Sequence, residues 1–121
     1  MTLCEVRRLQ RAIAEYEREL VVRHGLSLNE CMLLCALREH GGLYASKLAE
    51  LLGLSMSNTS KVIRSVEDKR LIERSICAED KRQMCFSISG TGRSALAAIE
   101  SDPIEMADIL VCALASHSNK D

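Results

Sequence analysis

The sequence predicts a mainly α-helical domain carrying one small β-hairpin. Apolar residues recur at alternating three- and four-residue spacing along most of the chain, the signature of helices with one buried face. Only two short segments, 71–77 and 83–89, have strand character, and a charged tip separates them. Ser, Gly and Asp punctuate the helical stretches where caps and turns are needed. With 121 residues, 47% hydrophobic and 27% charged, the chain suits one domain spanning 1–121 with a moderate core.

The first helix runs from Leu3 to about His24. Leu3, Val6, Leu9, Ile13, Tyr16 and Leu20 form its stripe, and Gly25 is its C-cap. Its other face carries Glu5, Arg7, Arg8, Arg11, Glu15, Arg18 and Glu19. So regular a stripe fits either the protein's own core or a second subunit. Ser27-Leu28-Asn29-Glu30 has the pattern of a capping box and opens a second helix, about Leu28 to His40, which Gly41-Gly42 ends. A third helix, about Ala45 to Leu52, ends at Gly53. Ser55 caps a fourth over about 56–69. Met84, Phe86 and Ile88 alternate with Cys85, Ser87 and Ser89 in the second strand segment. Ser89-Gly90-Thr91-Gly92 then turns into a fifth helix reaching about Glu100. Asp102-Pro103-Ile104-Glu105 predicts a last helix to about His117, with Asp102 as N-cap and Pro103 in its first position.

The fourth helix carries the functional signal. Thr59, Val62, Ile63 and Val66 make one apolar face. Ser57, Lys61 and Arg64 point the opposite way, flanked by Asn58 and Ser60. Residues 56–64 hold no acidic side chain, whereas Glu67 and Asp68 stand toward the C-terminal end. A helix whose first turns approach base edges and phosphates needs that polarity, because a carboxylate there is repelled. Ala49, four residues before Gly53, lets the third and fourth helices approach closely. Lys81 and Arg82 stand at the hairpin tip, where an arginine can enter a narrow minor groove. Asp80 beside them fits a scaffolding role, accepting turn N–H groups or orienting Arg82. Together these features describe a winged helix-turn-helix. The same fold used as a protein–protein interaction module without DNA affinity is the alternative.

Charge distribution points the same way. Residues 45–94 hold nine Lys and Arg against six Asp and Glu, although the whole chain has net charge −1. Tyr16, Tyr44 and Phe86 are the only aromatic residues, too few for the stacking platforms of single-strand binders. No phosphate loop, nucleophile elbow or paired His and carboxylate motif is present, so no enzyme is expected. Neither a cofactor nor a metal is implied. Apolar runs too short to span a membrane, and the absence of a signal-like N-terminus, read as cytoplasmic.

At LAELLGLSMSNTSKVIRSVEDKRLIER, followed by SICAEDKRQMCFSISGTG, the chain resembles the MarR family of bacterial transcriptional regulators. The wing entry Lys69-Arg70-Leu71-Ile72-Glu73-Arg74, the tip Asp80-Lys81-Arg82 and the exit Ile88-Ser89-Gly90-Thr91-Gly92 carry the likeness. The resemblance implies a transcriptional regulator, a repressor, acting as a homodimer on double-stranded DNA at a pseudo-palindromic operator. It implies a winged lobe at about 28–94 and dimerisation helices at about 3–24 and 95–117. Ser57, Asn58, Thr59, Lys61 and Arg64 would then lie in or beside the major groove, with Thr59 in the core first. Arg82 would enter the minor groove supported by Asp80, and Arg74 would lie near the backbone. Many relatives answer to a small-molecule effector, whose identity this sequence does not reveal. Tyr44 stands where a Ser or Thr cap usually opens the third helix.

Some relatives sense oxidants through cysteine. Of Cys4, Cys31, Cys35, Cys77, Cys85 and Cys112, the redox candidate is Cys4 near a helix N-terminus, although Glu5 opposes its thiolate. Cys31 and Cys35 are expected to be buried among leucines. Reduced thiols are the expectation throughout.

Overall fold

A computed structural model describes residues 2–76, 83–105, 110–113 and 115. The chain divides into two compact units, Leu28–Asp102 and a second made of Met1–Ser27 with Pro103–Asp121.

In the second unit, α1 spans Leu3–His24. Thr2 and Glu5 form a capping box: Thr2 Oγ1 accepts the Glu5 N–H at 3.1 Å, and the Glu5 carboxylate accepts the Thr2 N–H at 3.1 Å. Ala12 and Leu20 are buried, whereas Leu3, Val6, Ile13, Val21 and Val22 remain exposed. The last predicted helix does not begin where its cap pattern placed it. Residues 103–105 are not helical, and described helix is found at 110–113 and 115. Asp102 instead closes the preceding helix as its C-cap, its N–H donating to the Ile99 carbonyl at 3.2 Å. The remainder of that segment lies outside the described residues.

The larger unit contains α2 (Leu28–His40), β1 (Leu43–Tyr44), α3 (Ala45–Leu52), α4 (Met56–Asp68), β2 (Ile72–Ile76), β3 (Met84–Ile88) and α5 (Gly90–Ser101). Leu33, Leu34, Leu37, Leu48, Val66 and Leu96 are sealed from solvent and form its core. Each comes from a helix whose apolar residues repeat every three or four positions, so one face of each is removed from water. Helix α5, which the sequence divided between wing and dimer helices, belongs wholly to this unit. Arg38 on α2 grips Glu100 on α5 through two hydrogen bonds, of 2.6 and 3.3 Å.

The sheet is antiparallel in the order β1-β3-β2. Strand β1, two residues long, was not expected; Leu43 pairs with Phe86 and Tyr44 with Cys85. Tyr44 also serves as the α3 N-cap with extended backbone and no side-chain cap bond, as its residue type anticipates. At the base of the hairpin the chain is held tightly. Ser89 Oγ donates to the Arg70 carbonyl at 2.9 Å and accepts the Gly92 N–H at 3.0 Å. A Cβ on Gly92 would stand 2.2 Å from the Leu71 carbonyl oxygen, so this crossing requires glycine.

Candidate nucleic-acid interface

The turn between α3 and α4 creates the candidate surface. Gly53 ends α3 in the left-handed region (φ 68°), and its N–H and that of Leu54 close the turn onto α3 carbonyls. Ser55, extended, then accepts the Asn58 N–H on its hydroxyl at 3.1 Å and starts α4. The direction of α4 is therefore set within three residues.

Along α4 the buried and exposed faces separate cleanly. Thr59, Ile63 and Val66 are buried; Ser57, Asn58, Ser60, Lys61 and Arg64 are exposed. Met56, an apolar residue absent from the sequence-derived set, is half exposed at the first helical position. Thr59 lies on the buried side: its side chain has no solvent exposure, and its hydroxyl donates to the Ser55 carbonyl at 2.7 Å, which matches the core placement ranked first for it and separates it from the exposed candidates. The four remaining α4 candidates share one surface that carries two cations and no acid.

Arg74 on β2 is exposed but engaged. Its Nη2 donates to Glu67 Oε1 at 2.7 Å and its Nε to Glu67 Oε2, giving a bidentate pair between the end of α4 and the wing. The guanidinium also lies 5.6 Å from the centroid of the Phe86 ring, its cross-strand partner. Hydrogen bonding from Arg74 holds the Glu67 carboxyl below the usual value, with a smaller contribution from the charge of Arg64. Glu67 thus stays ionised, and the same bond raises Arg74. Asp80, Lys81 and Arg82, at the expected wing tip, lie outside the described residues.

Sequence reasoning missed Glu30. It was read only as the partner of the Ser27 cap, yet its Oε2 also reaches across to α4. There it accepts from Ser65 Oγ at 2.8 Å and from Lys69 Nζ at 2.7 Å. The Glu30 side chain is 8% exposed. A buried carboxylate this well satisfied is a fixed point between α2 and α4. The usable signal was an acid among the apolar residues at the start of a leucine-rich helix, and a Ser and a Lys one turn apart at the end of α4.

The cysteines divide differently from expectation. Cys4 is exposed at the second position of α1. Cys31 is buried, and burial, with the charges of Cys35 and Glu30, pushes its thiol up to about 11. Cys35 is exposed rather than buried, although partial desolvation still raises it. Cys85 is disulfide-bonded, contrary to the reduced state expected, and its partner lies outside the described residues. Among the described residues no group of three His, Cys, Asp or Glu could hold a metal, and no single helix is long and apolar enough to cross a membrane.

Comparison with known proteins identifies this arrangement. Residues 26–84, from the entry into α2 through the start of β3, match the family model of the MarR family. The chain belongs to the MarR family. An uncharacterized HTH-type transcriptional regulator of Bacillus subtilis, YwaE, is 33% identical over 90 residues, covering 74% of this chain and 53% of its own length. A probable transcriptional regulator from Pseudomonas aeruginosa superposes with a TM-score of 0.68 at 26% identity, over 74% of this chain and 69% of that one. The Staphylococcus aureus MepR–DNA complex has the same fold, with a TM-score of 0.71 at 22% identity over 84% and 76% of the two chains. The chain spans about half the length of the curated relatives it matches. The family and the named relatives are regulators of transcription, not enzymes.

Proposed function

We propose that this MarR-family chain is a sequence-specific double-stranded DNA-binding regulator of transcription. One observation carries the reading: the exposed, acid-free surface on the first half of α4, with Ser57, Asn58, Lys61 and Arg64 side by side. Hydroxyl and amide groups can exchange hydrogen bonds with base edges in a major groove, and the two cations can meet base edges or phosphates. The MepR–DNA complex, which shares the fold, supports DNA as the partner.

In the same proposal the regulator is a homodimer and a repressor on a pseudo-palindromic operator. Exposed Val6, Ile13 and Val21 on α1 supply apolar surface for a second copy. Two-fold symmetry sets the recognition helices ~34 Å apart, one turn of DNA. Arg82, with Asp80 and Lys81, forms the wing contact of this proposal, and Arg74 adds a backbone contact if phosphate draws it from Glu67. A small-molecule or oxidant signal releases the DNA, with Cys4, exposed near a helix start, the candidate thiol for the oxidant.

Fluorescence anisotropy tests the reading. Duplex from the gene's own upstream region and a scrambled duplex are titrated at several salt concentrations, with Arg82→Ala alongside. Binding that prefers the upstream duplex, weakens steeply with salt and falls in the variant is expected. Failure to bind either duplex at low salt sinks direct DNA recognition and favours the protein-binding alternative.

A further inference from the structure

Apolar packing alone does not fix a recognition helix in rotation. Thr59, Ile63 and Val66 hold α4 against the core, but non-directional contacts allow a helix to turn slightly about its axis. Side chains reach ~5–6 Å from that axis, so a turn of about 10–20° moves their tips by ~1–2 Å. A shift of that size breaks hydrogen bonds to base edges, which demand short distances, while phosphate attraction survives it.

The structure supplies a directional restraint against such a turn. Glu30 Oε2 accepts from Ser65 Oγ at 2.8 Å and Lys69 Nζ at 2.7 Å, one in the last turn of α4 and the other its C-cap residue. Ser65 directly follows Arg64, the last cation of the candidate surface. The carboxylate is nearly sealed from solvent, so its bonds are geometrically demanding and costly to break. A buried ion pair is often no more stabilising than apolar residues of the same size. What it does supply is direction.

We infer that Glu30 is a positioning residue for sequence recognition: through Ser65 and Lys69 it sets the rotation of α4, and with it the register of Ser57, Asn58, Lys61 and Arg64 against base edges. The inference rests on the DNA-binding proposal above. It also assigns Lys69 to the scaffold, since its charge faces Glu30.

The test uses the full chain and the duplex that the wild-type protein selects from a randomised pool, with a scrambled duplex as reference. Glu30→Ala is expected to lower the preference for selected over scrambled duplex by about tenfold, the loss of one good base contact. Its affinity for the scrambled duplex should hold or rise, because a negative charge beside α4 has gone. Glu30→Gln, which keeps an acceptor for Ser65, should lose less preference than Glu30→Ala. Ser65→Ala should lose roughly threefold and decides the matter if Glu30→Ala does not fold. Preference within twofold of wild type in folded protein overturns the inference. So does a parallel fall in both affinities, which marks a merely structural role. Selection of no sequence by the wild-type protein removes the DNA-binding reading itself, a distinct failure.

Discussion

In the first nine residues of α4 the only ionised side chains are Lys61 and Arg64, both exposed and directed away from the core. At the other end the side chains are held within the protein: Ser65 and Lys69 meet Glu30, and Glu67 meets Arg74, while Asp68 is exposed. One helix therefore presents a solvated surface at its start and is bolted to α2 and the wing at its finish. A contact surface needs groups whose hydrogen bonds water can give up to a ligand. A rigid mount needs groups whose bonds stay within the protein. The two demands are met by placing acids only where the helix is anchored, so the carboxylates that stiffen the fold stand away from the surface proposed to meet phosphate.

The largest expected effect breaks the first half. Lys61→Ala combined with Arg64→Ala should weaken duplex binding by roughly a hundredfold and reduce the salt slope by about two. Because both side chains are exposed and have no partner in the core, unfolding free energy should change by less than about 0.5 kcal/mol. Anisotropy titrations and urea melts on the same preparation check both statements. A matching loss of stability would mean that this end, too, is scaffold.

The second half should fail in the reverse manner. Glu67→Gln is expected to cost about 1 kcal/mol at neutral pH by weakening the charge-assisted pair with Arg74. Its pH dependence has a definite sign. The folded carboxyl is held below its ordinary value, so its contribution is full above that value and fades as pH falls through the depressed one. Wild-type and variant stabilities should therefore differ at neutral pH and converge as pH falls through the depressed value. A constant gap across that range would assign the loss to packing. If Arg74 is also drawn to phosphate on binding, Glu67→Gln should tighten duplex binding slightly by releasing it.

How much of this was legible in the sequence follows from the range of the interactions. The bounds of α1 through α4 were readable because spacing, Ser55 and Gly53 act within a few residues of the boundary they set. Strand β1 was not readable. Two residues have no periodicity, and the partners of Leu43 and Tyr44 lie on β3, some forty positions away. Glu30 was assigned a local role because a capping box is a local pattern, while its bonds to Ser65 and Lys69 depend on how α2 and α4 pack. Asp102 illustrates the converse. A strong N-cap pattern is followed by non-helical residues at 103–105, while the same residue closes α5. On the candidate surface Ser57, Asn58, Lys61 and Arg64 were found by helical phase alone. Phase also put Thr59 on the apolar face, and its burial decides between that and contact.

A smaller effect is expected where α4 hands over to the wing. Arg70 adopts φ 61°, left-handed backbone that a side chain disfavours and glycine accepts. Arg70→Gly should relieve that strain, and after the entropy that glycine adds to the unfolded chain a gain of about 0.5 kcal/mol remains. Calorimetry measures it. An accompanying loss of duplex affinity would show that the anchored end also lends a cation to DNA and would blur the division between the two halves.

The smallest expected effect is the sharpest test of that division. Thr59→Val replaces the hydroxyl by a methyl of similar size at a site with no solvent exposure. The Ser55 carbonyl that accepts this hydroxyl also accepts the Thr59 N–H at 2.9 Å, so losing the side-chain bond leaves no carbonyl unsatisfied. Stability should therefore move by less than about 1 kcal/mol. Duplex affinity and sequence preference should stay within about twofold of wild type, because no base edge can reach the group removed. Lost preference with unchanged stability would mean that Thr59 turns outward on binding. The two faces of α4 would then be exchangeable, and the separation of contact from scaffold would lie in the complex rather than in the free fold.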